Sequence, residues 1–341
     1  MRGVLDIPEE LVEMQGRVAE ALIGVERVFA EQLASDLLPV DAMCAHVERY
    51  RGKMLRPTLV MLCGAAADPD GVFGSAAHVI AGAVCEMVHM ATLVHDDVLD
   101  EAEIRRRGKT LNELRGNEAA VILGDYLIAS AYELCSSLES PVPSRIVGNA
   151  SAVMCTGELL QLHNRENLSL DEGTYFEILE RKTAALIGAS CELGALCSLG
   201  FDRGDDPVTI ALRSYGRGMG VAFQIQDDVL DLTGTEEIVG KSVGKDLEKG
   251  KMTYPVIHHL STAGSEQRGR SLAWIRTIAA GDASGTGKLL EAIRGTGSIA
   301  AARAKAESLV NEAKRSLDVV GENAGVAMLR VLADAVVRRD H

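Results

Sequence analysis

Two acidic runs are the residues of this chain best suited to chemistry: Asp96-Asp97-Val98-Leu99-Asp100 and, far downstream, Asp227-Asp228-Val229-Leu230-Asp231. Each ends an apolar stretch that reads as a buried helix, so residues four apart, such as Asp96 and Asp100, project from one face a turn apart. Like charges at that spacing repel, and a helix keeps them mainly where a cation neutralises them. Carboxylates one turn apart with a third beside them suit a hard divalent ion such as Mg²⁺. A single copy is explained equally well as an acidic helix end surfacing into a loop. Two copies, each followed by basic residues, are not.

The cations come next. Lys53 and Arg56 precede or enter a helix whose first turn holds Pro57, where free backbone N–H groups and the helix dipole already favour an anion. Taken alone they would be a solvated basic loop. Arg105, Arg106 and Arg107 follow the first acidic run, and Lys241, Lys245, Lys249 and Lys251 the second. The Gly240 to Lys251 stretch superficially resembles a phosphate loop, but its spacing does not match and it follows an acidic helix rather than a strand. Acidic clusters facing each other across a helical bundle, with Lys and Arg beyond them, would hold several Mg²⁺ ions around a diphosphate. If the organic part is allylic, loss of diphosphate leaves a stabilised carbocation, which an apolar pocket protects from water.

The elements that must position these groups are helices. Apolar residues make up 47% of the 341 but aromatics only 4%, and the eight prolines leave long spans free to be helical. The 3.6-residue pattern predicts helices over 8–37 (ended by Pro39), 40–50, from Pro57 onward, 75–101, 117–138, 144–165, 172–200, 206–233 and 253–262. Breaks are expected at Asp68 to Gly71, at Pro141-Val142-Pro143 and at Gly200 to Pro207. No stretch alternates convincingly enough for a strand. The expectation is one all-α domain over 1–341, a helical bundle with its two Asp-rich helices facing a central cavity, motifs over 50–260 and C-terminal helices over 263–341.

A net charge of −14 argues against nucleic acid, which needs a basic footprint, and against an anionic membrane surface. The seven cysteines are odd in number and lack a Cys-x-x-Cys pair, which fits reduced core thiols rather than disulfides or zinc. No basic-then-apolar leader opens the chain and no uninterrupted apolar run reaches the ~18 residues of a membrane span, so a soluble, cytoplasmic protein is expected.

The ordered motifs resemble those of the trans-polyprenyl diphosphate synthases. They are Gly52-Lys53-x-x-Arg56-Pro57, His89 ahead of Asp96-Asp97-x-x-Asp100, Arg105-Arg106-x-Gly108, Gly124-Asp125-Tyr126-Leu127, Gly157-Glu158 with Gln161, Lys182-Thr183, Gln224 with Asp227-Asp228-x-x-Asp231, and Gly240-Lys241 with Asp246 and Gly250-Lys251. The resemblance implies the isoprenoid synthase fold, a homodimer, and condensation of an allylic diphosphate with isopentenyl diphosphate at three Mg²⁺ ions. On that basis Asp96 and Asp100 ligate two ions with Asp97 supporting them, and Asp227 ligates the third with Asp228 and Asp231 nearby. Arg105, Lys182, Lys241 and Lys251 contact the allylic diphosphate, whereas Lys53, Arg56, His89 and Arg106 form a metal-free isopentenyl site. Thr183 and Gln224 place oxygen dipoles near the developing cation, and the departed diphosphate serves as base.

Family members that stop early carry bulky aromatics four and five residues before the first aspartate. Here those positions are Ala91 and Thr92, with Val88, then Cys85 and Val84, then Ala81 further down the same face. The resemblance therefore implies a long product, about C30 to C50 at roughly one isoprene unit per ~5.4 Å helical turn, with a shorter geranylgeranyl or farnesyl product as the alternative. Tyr126, Tyr132 and Met154 are candidates for a floor from other helices. A class I terpene cyclase is disfavoured because the second acidic run repeats the first, and a non-catalytic subunit because both runs are intact.

Overall fold

A computed structural model describes residues 7–50, 52–71, 73–106, 108–234 and 244–338. Lys241, expected to bind diphosphate, lies outside them, as do Gly240, Arg107 and Met1 to Asp6.

The described chain is all-α, apart from a two-residue hairpin pairing Ile104–Arg105 with Gly108–Lys109. In order come α1 (Val12–Leu33), α2 (Leu38–Glu48), α3 (Leu55–Ala67), α4 (Ala76–Leu99), α5 (Leu111–Arg115), α6 (Asn117–Ser136), α7 (Pro141–His163) and α8 (Glu172–Leu179). A π-helical turn, Glu180–Ala184, leads into α9 (Ala185–Leu199), then α10 (Pro207–Thr233) and α11 (Lys245–Glu248). The remainder is α12 (Tyr254–Thr262), α13 (Ser265–Ala279), α14 (Thr286–Gly295), α15 (Ser298–Ser316) and α16 (Ala324–Val337).

Prolines proved to be starts where stops were expected. Pro39 lies in the first turn of α2, while α1 already ends at Leu33 with Ala34 extended. Pro141 opens α7, with Pro143 in its first turn, instead of breaking the chain there. Both sit where the missing N–H is an orphan in any helix, so they cost no hydrogen bond. Pro57 occupies the first turn of α3, as expected, after Met54 enters the left-handed region at φ 53°.

The helices fall into two compact units, each assembled from several stretches of chain. The first comprises residues 1–151, 186–216 and 316–332, and the second 152–185, 217–315 and 333–341. Within the first, α4 is the hub and packs on α6, α3 and α1. Its face from Ala81 through Val84, Cys85, Val88 and Ala91 is at most 1% exposed.

A buried histidine ties three helices of this unit together. Ser198 Oγ donates to the Gly64 carbonyl at 3.0 Å, which leaves it to accept from His78 Nε2 at 3.1 Å, while His78 Nδ1 meets Ser75 Oγ at 2.8 Å. Burial lowers the His78 pKa to about 4. Two helices, α4 and α6, are long and apolar enough to cross a membrane, although 67% of the α4 window and 39% of the α6 window are buried within the protein.

In the second unit α8 is capped by Asp171, whose Oδ1 accepts from the Thr174 N–H at 2.9 Å. The expected helix over 172–200 is therefore two α-helical pieces joined by the π turn, which carries Lys182 and Thr183.

Candidate active site

In the first unit the acidic end of α4 and the basic segments before α3 and after α4 form one cluster. Asp96 and Asp100 are half-buried, one helical turn apart, with the Asp100 N–H bonded to the Asp96 carbonyl at 2.8 Å. Asp97, 2% exposed, points inward and is gripped by Arg105, whose Nε donates to both carboxylate oxygens at 2.9 and 3.0 Å while Nη2 lies 2.8 Å from Oδ1. This bidentate fork uses the planar geometry that distinguishes arginine from lysine.

Arg106 occupies the left-handed region at φ 47°, at the turn of the short hairpin. Its guanidinium lies against Gly52, where a Cβ would fall 2.6 Å from Nη2, so the glycine of Gly52-Lys53 makes room for an arginine far along the chain. His89, one to two turns before Asp96 on α4, is kept neutral first by burial and then by the positive fields of Arg56, Arg106 and Arg105. Burial also lowers the Arg56 pKa, offset in part by Glu86, and the Arg56 Nε is buried without a hydrogen-bond partner. Lys53 stands exposed at the edge. Neutral imidazole among guanidinium groups, with a buried donor unanswered, is a site built for an anion.

The second unit holds the other half of the expected residues. Asp227 and Asp231 are half-buried, whereas Asp228 is 4% exposed. Tyr175 on α8 donates its hydroxyl to Asp228 Oδ2 at 2.6 Å, and Gln224, one turn earlier on α10, donates Nε2 to Oδ1 at 3.2 Å. Thr183 on the π turn donates to Gln224 Oε1 at 3.3 Å. Burial, then the nearby Asp246, raises the Asp228 pKa well above the usual carboxylate value, and burial beside Asp228 likewise raises Tyr175.

Lys182 forms an ion pair with Glu158 on α7, and Glu158 Oε1 accepts from Gln161 Nε2 at 3.2 Å. Gly157 lets α7 approach: a Cβ there would fall 2.7 Å from the backbone nitrogen of Lys182. Lys182, Thr183, Gln224, Asp228, Asp246 and Lys251 all line one cleft of about 120 Å³ in this unit. Tyr175 and Glu158 were not assigned roles from sequence. Tyr175 carries no local signal, since its partner is 53 residues away.

Whether these carboxylates fit a divalent ion is decided by their chemistry. All donors are oxygens, which suits Mg²⁺. In each run the second aspartate is buried against the protein's own donors, while the first and last are half-exposed, Asp231 also accepting the Asp246 N–H at 3.3 Å. Among the described residues no three His, Cys, Asp or Glu side chains converge as a closed cage. That fits an ion held by one or two carboxylates and completed by substrate phosphates and water.

The polyprenyl synthetase family matches residues 39–291. The chain belongs to that family. It is 33% identical to the octaprenyl diphosphate synthase of Escherichia coli (strain K12), over 94% of this chain and 97% of that protein. It is 34% identical to a short chain isoprenyl diphosphate synthase of Methanothermobacter thermautotrophicus over the full length of both. Among solved structures, a polyprenyl synthase from Caulobacter crescentus CB15, complexed with calcium and isoprenyl diphosphate, superposes with a TM-score of 0.88 at 31% identity, covering 100% of both chains. This polyprenyl synthetase is thus a prenyltransferase with the all-α isoprenoid synthase fold.

Proposed function

We propose that the protein elongates an allylic diphosphate by repeated trans condensation with isopentenyl diphosphate, using Mg²⁺, and releases a long polyprenyl diphosphate of about C30 to C50. The observation that carries the reading is the division of labour around α4. Half-exposed carboxylates, Asp96 and Asp100, lie in the same unit as a group of cations, Lys53, Arg56 and Arg106, around a neutral His89. One anion is suited to metal bridging and the other to direct binding by cations.

Asp96 with Asp100 in the first unit, and Asp227 with Asp231 in the second, are the carboxylates that would each hold Mg²⁺, which when bound would polarise the diphosphate and neutralise charge on the leaving group. Lys182, Lys251 and Lys241 bind allylic diphosphate oxygens, with Lys182 exchanging Glu158 for the substrate. Thr183 and Gln224 turn oxygen dipoles toward the allylic carbons as they gain positive charge. The isopentenyl double bond attacks C1 of the allylic group, the diphosphate leaves with the bonding electron pair, and a proton is lost from C2 of the added unit to the released diphosphate. His89, kept neutral by burial and its arginines, can hydrogen-bond the isopentenyl diphosphate without competing for that proton.

Product length is read from α4. Ala91, Val88, Cys85, Val84 and Ala81 leave a buried face without aromatics, on which each turn admits roughly one more isoprene unit over ~5.4 Å. Tyr126 and Tyr132 on α6, the main packing neighbour of α4, would supply the floor. We place the protein in the cytoplasm as a homodimer.

The deciding experiment incubates purified protein with Mg²⁺, labelled isopentenyl diphosphate and geranyl, farnesyl or geranylgeranyl diphosphate, then resolves dephosphorylated products by length. A metal-dependent ladder ending at C30 to C50 is expected. A ladder stopping at C15 or C20 would overturn the length, and cyclic hydrocarbon or no incorporation would overturn elongation itself.

A further inference from the structure

Four side chains of the second unit form a continuous chain of hydrogen bonds. Tyr175 and Thr183 lie on the run formed by α8 and the π turn, while Asp228 and Gln224 lie one turn apart on α10. The links run Tyr175 Oη to Asp228 Oδ2, Gln224 Nε2 to Asp228 Oδ1, and Thr183 Oγ1 to Gln224 Oε1. Tyr175 is 4% exposed and its ring stacks tilted on Tyr254, with centroids 5.9 Å apart. The phenolic hydroxyl has a single proton, and the 2.6 Å contact points it at Asp228 Oδ2.

A carboxamide has two nearly isosteric orientations of opposite polarity. Rotating the Gln224 amide by 180° would turn an N–H₂ group, with its partial positive charge, toward Thr183. What selects the observed orientation is an acceptor fixed at Asp228 Oδ1. The Asp228 carboxylate can rotate about its own axis unless its other oxygen is also held, and Tyr175 is the side chain that holds it.

We propose that Tyr175 is a positioning residue for prenyl transfer: through Asp228 its hydroxyl locks the Gln224 carboxamide with its oxygen, not its nitrogen, toward Thr183 and the developing cation. This rests on the elongation reading above. Tyr175 lines the same cleft as Lys182 and Lys251, but its hydroxyl is spent on Asp228, so its effect falls on the chemical step rather than on isopentenyl binding.

The test compares wild type, Tyr175→Phe, Thr183→Val and the double variant, each with Mg²⁺, farnesyl diphosphate and isopentenyl diphosphate, measuring kcat, both KM values and Tm. Loss of one hydrogen bond's worth of alignment corresponds to about a tenfold fall in kcat. The expected result is that fall for Tyr175→Phe, an isopentenyl KM within about twofold of wild type, and a double variant no slower than the slower single one, because both act on Gln224 through one chain of hydrogen bonds. Unchanged kcat, multiplicative losses in the double variant, or a loss matching only a reduced folded fraction would each overturn the proposal. Failure of the Phe variant to fold would do so too, since it makes the hydroxyl structural. Absence of wild-type turnover would overturn the elongation reading and this proposal with it, whereas normal turnover in both proteins would overturn this one alone.

Discussion

At the scale of single residues, the three aspartates of each acidic run sit in different environments. Asp97 and Asp228 are at most 4% exposed and already hydrogen-bonded by Arg105 and by Tyr175 with Gln224, whereas Asp96, Asp100, Asp227 and Asp231 are half-buried. Removing one partner of a buried ion pair leaves the other charge uncompensated, a loss of about 3–5 kcal/mol when both are buried. Arg105 is 25% exposed, so a smaller cost of about 2 kcal/mol is expected for Asp97→Ala. Asp96→Ala should abolish elongation yet leave stability unchanged or slightly raised, because it relieves repulsion with Asp100. Urea melts of the two variants beside the product ladder separate these outcomes, and equal destabilisation would refute the distinction.

His78 allows a second prediction at this scale. Its folded pKa of about 4 lies below the unfolded value of 6.5, so the unfolded chain binds the proton first as pH falls. The neutral histidine therefore contributes its full share of stability above pH 6.5, and that share is lost progressively toward pH 4, on the order of 3 kcal/mol in all. Denaturant midpoints measured from pH 7 to pH 4 should fall more steeply for wild type than for His78→Gln, and parallel slopes would show that this residue does not govern the acid limb.

At the scale of elements, the sequence made most helices legible because their apolar spacing and proline positions are local signals. Elements whose cause lies far along the chain were not. The π turn at Glu180–Ala184 leaves no composition cue, but Gly157 presses α7 against it, close enough that a Cβ would fall 2.7 Å from both the Arg181 Cβ and the Lys182 backbone nitrogen. Gly157→Ala must push the two apart, and overpacking of this kind costs about 1–3 kcal/mol. Its signature should be a lower Tm together with a higher KM for the allylic substrate, since Lys182 moves with the turn. The acidic runs could be read because both partners of the pattern lie within five residues, whereas the Tyr175–Asp228 bond and the Glu158–Lys182 pair join residues whose proximity only the fold creates.

The α4 face supports a further test at the same scale. Ala91 is fully buried, so a phenyl ring there must occupy whatever space continues below Asp96. Ala91→Phe is expected to shorten the product by several isoprene units while leaving KM for both diphosphates within about threefold, an energy difference of less than 1 kcal/mol. An unchanged ladder would show that this face does not line the tunnel.

At the scale of the whole molecule, a chain of net charge −14 must take up two anionic substrates. In the proposed assignment the diphosphate of the isopentenyl substrate meets local cations, Arg56 and Arg106 beside a neutral His89, and would bind there without metal. The acidic runs cannot attract a diphosphate without one. Inorganic diphosphate alone can occupy only the metal-free cationic site, and adding Mg²⁺ should raise Tm by several degrees more: occupancy at ~100 Kd adds about 2.7 kcal/mol, and each kcal/mol moves Tm by roughly 2–4 °C for a unit of 150–250 residues. Chelation by EDTA should reverse the shift, and Asp96→Ala and Asp227→Ala should each diminish it if both runs act on the same metal-bound ligand. No further shift on adding Mg²⁺ would mean that basic side chains suffice for both sites and that the repeated aspartates serve some purpose other than metal-bridged binding.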